Sequence, residues 1–195
     1  MRFGLALSGG GIRGAVHIGI LQGLIENSLY PDIIASSSAG SIVGLLYSAG
    51  IPPTKMVSLV SQYESNIINE EYSTYALTLH KGLIKGDYIE LALRTLTKGK
   101  NFNQLSPKLA VVTTNVVTGK GTVFTSTDLA KIKSKDYIFS GKKLSETILT
   151  SYANIIIEPK TGKVNFWEIN KTIELVEIGK KAVYENLAAL KKLLV

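Results

Sequence analysis

Phe3-Gly4-Leu5-Ala6-Leu7-Ser8-Gly9-Gly10-Gly11-Ile12-Arg13-Gly14 and, further on, Ile33-Ile34-Ala35-Ser36-Ser37-Ser38-Ala39-Gly40 decide the reading of this chain. Each stretch opens as a short apolar run of strand type and closes in a glycine- or serine-rich turn that leads into a helical pattern. The first strand is expected over Phe3 to Leu7 and the second over Ile33 to Ser37. Three glycines after the first strand let the backbone turn tightly and aim several N–H groups at one point, the requirement of an anion hole. Ser38 falls on the second strand-to-helix turn. A hydroxyl held there stands above the sheet, and the positive end of the following helix favours the negative charge that develops in acyl transfer.

Working outward, Ala15 to Asn27 places Val16, Ile20, Leu21 and Leu24 at helical spacing. Ala39 to Ala49 predicts a small apolar helix that Gly50 ends ahead of Pro52-Pro53. Residues 3–50 therefore read as a βαβα unit, which belongs to an α/β fold with a mostly parallel sheet. Sheets of this kind bind ligands beyond the carboxyl ends of their strands, where both turns lie. Thr54 to Ile68 continues as helix, and Asn69 to Lys81, polar and carrying Tyr72 and Tyr75, reads as a mobile loop or flap. A further helix is expected from Gly86-Asp87, with Asp87 as its cap ahead of Ile89, Leu91, Leu93 and Leu96. Leu109 to Val117 and Thr122 to Thr125, joined by Thr118-Gly119-Lys120-Gly121, predict a hairpin. The remainder predicts a short helix over Ser145 to Tyr152, a buried strand over Asn154 to Ile157 and one long amphipathic helix over Thr172 to Leu194.

Composition bounds the function. The 195 residues, 45% of them hydrophobic, suit a single domain with a sizeable core. Absence of cysteine excludes a disulfide framework and a thiolate metal site, and two histidines, His17 and His80, are too few for most metal centres. With no leader pattern ahead of the first strand and no apolar run of membrane-spanning length, a soluble cytoplasmic protein is expected. The net charge of +7 comes from scattered lysines without interleaved aromatics, which disfavours nucleic acid and suits solubility or contact with an anionic lipid surface. The lysines of the last helix, Lys180, Lys181, Lys191 and Lys192, flank an apolar face of Val176, Val183, Leu187, Leu190 and Leu194, the pattern of a solvated helix packed on a core rather than of an anchor.

Serine attacks an ester only when its proton is removed and the oxyanion is held, and one good oxyanion donor is worth about 3 kcal/mol. The amides of Gly10, Gly11 and Ile12 can meet the second requirement, with Arg13 orienting the loop or meeting a phosphate. A plainer reading makes Ser38 only the cap of its helix, which leaves the three glycines unexplained. Gly9, Gly11 and Gly14 also fit the dinucleotide spacing, but the acidic residue required at the end of the second strand is missing, since Asp32 precedes that strand. No Gly-Lys-Ser/Thr sequence closes a phosphate loop. His17 and His80 read as packing or surface residues, and Asp87, Asp128 and Asp136 each suit a cap, turn or surface position, so the residues themselves name no base for Ser38.

Taken together, Gly9 to Gly14 as a Gly-Gly-Gly-x-Arg-Gly motif and Ser36 to Gly40 as a Gly-x-Ser-x-Gly-like elbow make this chain resemble the bacterial patatin-like phospholipases. The similarity extends through Lys81-Gly82-Leu83-Ile84-Lys85-Gly86, Thr113-Thr114-Asn115 with its Thr118-Gly119 turn, and Ser145 to Ala153. The resemblance implies a three-layer α/β/α sandwich over residues 1–195, a Ser-Asp dyad with Ser38 as nucleophile, an acyl lipid or phospholipid substrate, and neither metal nor cofactor. Two departures accompany it. Ser36 stands where the elbow has its first glycine, and the family's Asp-Gly-Gly or Asp-Gly-Ala segment is lacking, with no aspartate after Asp136. The flanks of that segment meet near Ala153. The expected alternative to a hydrolase is accordingly a lipid-binding or regulatory domain that has lost the dyad.

Overall fold

A computed structural model describes residues 3–67, 86–115, 118–125, 137–138, 153–165 and 168–194. The expected flap at 69–81 with His80, the helix expected at 145–152, Asp128 and Asp136 lie outside these residues. Strand β1 (Gly4–Leu7) passes through a 3-10 turn (Gly11–Ala15) into α1 (Val16–Glu26), and β2 (Ile33–Ser36) passes through Ser37 and Ser38 into α2 (Ala39–Ser48). There follow α3 (Pro53–Ile67), α4 (Gly86–Thr97), the hairpin of β3 (Lys108–Asn115) and β4 (Gly121–Phe124), β5 (Tyr137–Ile138), α5 (Thr172–Glu185) and α6 (Leu187–Leu194). Helix α4 starts at Gly86, so Asp87 lies within its first turn instead of preceding it.

Parallel pairing joins β1, β2 and β3, in the register Leu7 with Ser36 and Ser36 with Val111. Strand β4 pairs antiparallel with β3 along Val111–Thr114 as the hairpin predicts, and β5 pairs antiparallel with Thr114 and Asn115. The sheet is thus a parallel centre finished by antiparallel additions. Alternation along the strands turns Leu7, Ile34, Leu109 and Val111 inward. Helix α2 packs on that face, because a Cβ on Gly44 would stand 3.2 Å from both Ile34 and Leu109. Leu21, Val43, Leu45, Met56, Leu175 and Val176 complete the main cluster. Each such side chain contributes about 1.5–3 kcal/mol on full burial.

Helices α1 and α5 form the most extensive helix–helix interface among the described residues. Their axes approach closely because Gly19 faces the Val176 carbonyl and Gly179 faces that of Val16, where any Cβ would collide with backbone. A second cluster of Ile20, Leu24, Leu29, Val183 and Leu190 extends this contact.

Two expectations fail in the C-terminal part. Asn154 to Ile157 is extended, but no strand is formed there and Ile156 is 50% exposed. Ile155 and Ile157 instead pack on the second cluster, so the β-branched run records contact with that cluster rather than a sheet ladder. The closing helix is two helices. At Asn186 the side-chain amide donates to the Ala182 carbonyl (2.9 Å) and the backbone N–H to Val183 (3.1 Å). A side chain that competes for the helix's own carbonyls ends it, and the turn brings Leu190 onto Ile20 and Leu24.

Candidate functional site

Beyond the carboxyl ends of β1 and β2 the two turns touch. A Cβ on Gly9 would stand 2.8 Å from the Ser38 Cβ and 3.5 Å from its Oγ, so only glycine lets the first loop lie against the serine. Gly14 meets the Ala39 Cβ in the same way, and Gly40 lies so near β1 that a Cβ would be 2.5 Å from the Leu7 carbonyl oxygen and 2.6 Å from that of Ser8. The Ser37 N–H donates to the Leu7 carbonyl at 3.1 Å, stitching the second turn to the end of β1. Three motif glycines are therefore accounted for by the approach of one turn to the other.

Ser38 adopts φ 48° and ψ −127°, outside the left-handed helical well and costly for any residue with a Cβ. It occupies the N-cap position of α2, yet its hydroxyl makes no capping bond. Capping residues normally hold extended φ/ψ and bond the second or third N–H of the helix. The plainer reading of Ser38 therefore lacks both of its geometric marks. The serine is partly exposed at the amino end of a ten-residue helix, where the helix dipole favours an anion.

On the facing loop, Gly11 takes φ 58° and opens the 3-10 turn, with Arg13 N–H donating to the Gly10 carbonyl at 3.2 Å. Gly10, Gly11 and Ile12 are partly exposed beside Ser38's neighbour Gly9, and the first N–H groups of a helical turn have no intrahelical acceptor. Arg13 is exposed.

Ser36 explains its own departure from glycine. As the last residue of β2 it is paired with Leu7 and Val111, is 3% exposed, and donates its hydroxyl to the Ala110 carbonyl at 3.2 Å. A small polar Cβ substituent is accommodated between sheet and helix, and the positive φ falls at Ser38 instead.

Expected as a packing or surface residue, His17 of α1 is buried. Its Nε2 lies 2.8 Å from the Ser8 carbonyl oxygen, and desolvation holds its pKa below the ordinary value of 6.5. Sequence reasoning missed this contact, although a histidine in the first turn of the helix after the glycines was a visible signal. Asp32 stands at the opposite end of the strands, where its Oδ2 accepts the Phe3 N–H at 2.6 Å, and so is remote from Ser38. No metal-holding group of three His, Cys, Asp or Glu occurs among the described residues.

A family model described as patatin-like phospholipase matches residues 5–160. The chain belongs to the patatin-like phospholipase family. Residues of this patatin-like chain are 49% identical over 45 positions to the patatin-like phospholipase domain-containing protein ZK370.4 of Caenorhabditis elegans, an alignment spanning 23% of this chain and 3% of that protein. They are 40% identical over 76 positions to triacylglycerol lipase 5 of Saccharomyces cerevisiae, spanning 37% and 10% respectively. These relatives are eukaryotic, so the expected bacterial affiliation receives no support from them. The solved structure of the type III effector protein ExoU shares the fold, with a TM-score of 0.59 at 14% identity over 96% of this chain and 53% of that one. The chain thus spans about half of ExoU and a tenth or less of the two curated relatives.

Proposed function

We propose that this patatin-like chain is a lipid acyl hydrolase in which Ser38 is the nucleophile and the amides of Gly10, Gly11 and Ile12 hold the oxyanion. The serine oxygen attacks the acyl carbonyl carbon and loses its proton to a base, the alcohol leaves with a proton, and water then releases the fatty acid and restores the hydroxyl. The observation that carries this reading is the conformation of Ser38: a strained, uncapped serine at a helix amino end, packed against a triple-glycine turn. Phospholipid or another fatty ester is the substrate class, consistent with the family and with the yeast lipase. Access from an anionic lipid surface suits the net charge of +7.

Labelling by a fluorophosphonate, read by mass spectrometry, tests the assignment. Modification confined to Ser38 and lost in Ser38→Ala is expected, and a label that persists in the variant removes the assignment. One observation favours a second reading, a lipid-binding domain without turnover: no aspartate follows Asp136, and Asp32 is at the wrong end of the sheet. Vesicle binding without ester hydrolysis, indifferent to Ser38→Ala, would select it.

A further inference from the structure

The contact between His17 and Ser8 spans the whole glycine motif. Ser8 is the residue after β1, His17 the second residue of α1, and everything from Gly9 to Gly14 lies between them. Helical side chains lean toward the amino end of their helix, so a residue placed here reaches back over the turn it follows. A carbonyl only accepts; the 2.8 Å contact therefore makes Nε2 the protonated nitrogen. Nδ1 is then the bare acceptor, buried and without a hydrogen-bond partner among the described residues. Burying an imidazole with one nitrogen unsatisfied costs about 1–3 kcal/mol compared with an apolar side chain of the same shape. What the imidazole supplies in return is a single directed bond.

The Ser8 carbonyl has a second neighbour. It sits 2.6 Å from where a Cβ on Gly40 would stand, so the same oxygen is enclosed between the first turn of α1 and the first turn of α2. Helix α2 is the element that begins at Ser38. Fixing the Ser8 carbonyl therefore fixes the strand end from which the glycine turn springs and, through Gly40, its distance from the serine.

We propose that His17 is a positioning residue, whose Nε2–H bond to the Ser8 carbonyl holds the Gly9–Gly14 turn at the spacing from Ser38 that an oxyanion hole requires. The catalytic consequence rests on the reading of Ser38 and the glycine turn given above; the mechanical one does not. A neutral ring suits the task, since burial lowers its pKa and keeps it uncharged near neutrality.

Two variants separate this role from packing. His17→Leu keeps the apolar bulk without a donor, and His17→Gln restores an N–H near the position of Nε2. Hydrogen exchange at the Arg13 amide is measured together with the inactivation rate and binding constant of a fluorophosphonate at Ser38. In His17→Leu exchange at Arg13, whose N–H donates to the Gly10 carbonyl, is expected to quicken about tenfold while β1 and the rest of α1 stay protected. Inactivation slows about tenfold with the binding constant unchanged, since displacement of an oxyanion donor acts on the reacting geometry. Glutamine restores both toward wild type. Leucine behaving as wild type overturns the proposal, and so does glutamine failing equally with leucine, because only the donor distinguishes them. Should the wild-type chain take no label while exchange still loosens in leucine and recovers in glutamine, the anchor stands and the nucleophile assignment falls.

Discussion

After β1 the chain turns into its helix through glycine, with Gly11 at φ 58°; after β2 it turns through Ser38, which holds φ 48° and ψ −127° while carrying a side chain. The two turns face one another and solve the same geometric problem. In the first, the absence of a Cβ makes the left-handed backbone cheap and also lets Gly9 approach within contact of the opposing serine. In the second the strain remains, held in place by Ser37 N–H bonded to Leu7 and by Ser41 N–H bonded to the Ser38 carbonyl at 2.9 Å. Backbone strain of this kind persists only where the surroundings over-determine it, and it points to use rather than to stability. The glycine turn fits its neighbour by lacking side chains; the serine turn keeps its side chain at the cost of backbone strain.

Variants that exchange these properties break or sharpen the contrast. The largest effect is expected from Gly9→Ala. Its methyl group would stand 2.8 Å from the Ser38 Cβ, so the loops must separate, slowing reaction at Ser38 by about a hundredfold and lowering the stability by about 1–3 kcal/mol. Fluorophosphonate kinetics beside thermal melting separates the two. Next come two variants of opposite sign. Gly11→Ala forces a Cβ into a left-handed position and should cost about 1 kcal/mol, whereas Ser38→Gly should raise the melting temperature by about 2–4 °C although it removes the hydroxyl. Equal shifts of the same sign would mean that the turns are not different in kind.

A smaller effect concerns pH. His17 is held neutral by burial, with its folded pKa below the ordinary 6.5. Its contribution is complete above the unfolded pKa and is lost as pH falls through 6.5 toward the folded value, where the unfolded chain takes up a proton that the native one refuses. The slope of melting temperature against pH below about 6.5 should therefore flatten in His17→Gln. Least of all should be felt at Glu26, on the far end of α1, whose carboxylate accepts from Lys180 Nζ and Tyr184 Oη at 2.7 Å each. Those bonds hold its pKa below the usual range, but the group is exposed, and Glu26→Gln should move the melting temperature by less than about 2 °C.

Legibility in the sequence followed the same division. The βαβα unit was readable because glycine, serine and β-branched residues punctuate it at fixed offsets, and β1, α1, β2 and α2 lie within a residue or so of their expected bounds. That Gly14 faces Ala39 and Gly40 faces the ends of β1 could not be read, since it depends on where two loops meet in space. Ser36 departs from the elbow's first glycine, and that its hydroxyl donates to the Ala110 carbonyl depends on a strand pairing the motif alone does not specify. Ile155 to Ile157 misled because a run of β-branched residues reads as a buried strand, whereas here Ile155 and Ile157 pack on the second cluster and Ile156 is exposed. Asn186 gave too weak a signal to divide a continuous apolar stripe. No base for Ser38 was legible, because the Asp-Gly-Gly or Asp-Gly-Ala segment that the resemblance implies is lacking, and Asp32 stands at the opposite end of the strands.

The family match ends at residue 160, yet α5 presses its backbone against α1 at Gly19 and Gly179. Helix α1 carries the imidazole that reaches the Ser8 carbonyl. A boundary drawn where sequence similarity fades would thus cut away the buttress of the very turn that similarity picks out. A fragment trimmed at residue 160 would carry the motif without the helix whose backbone presses on α1.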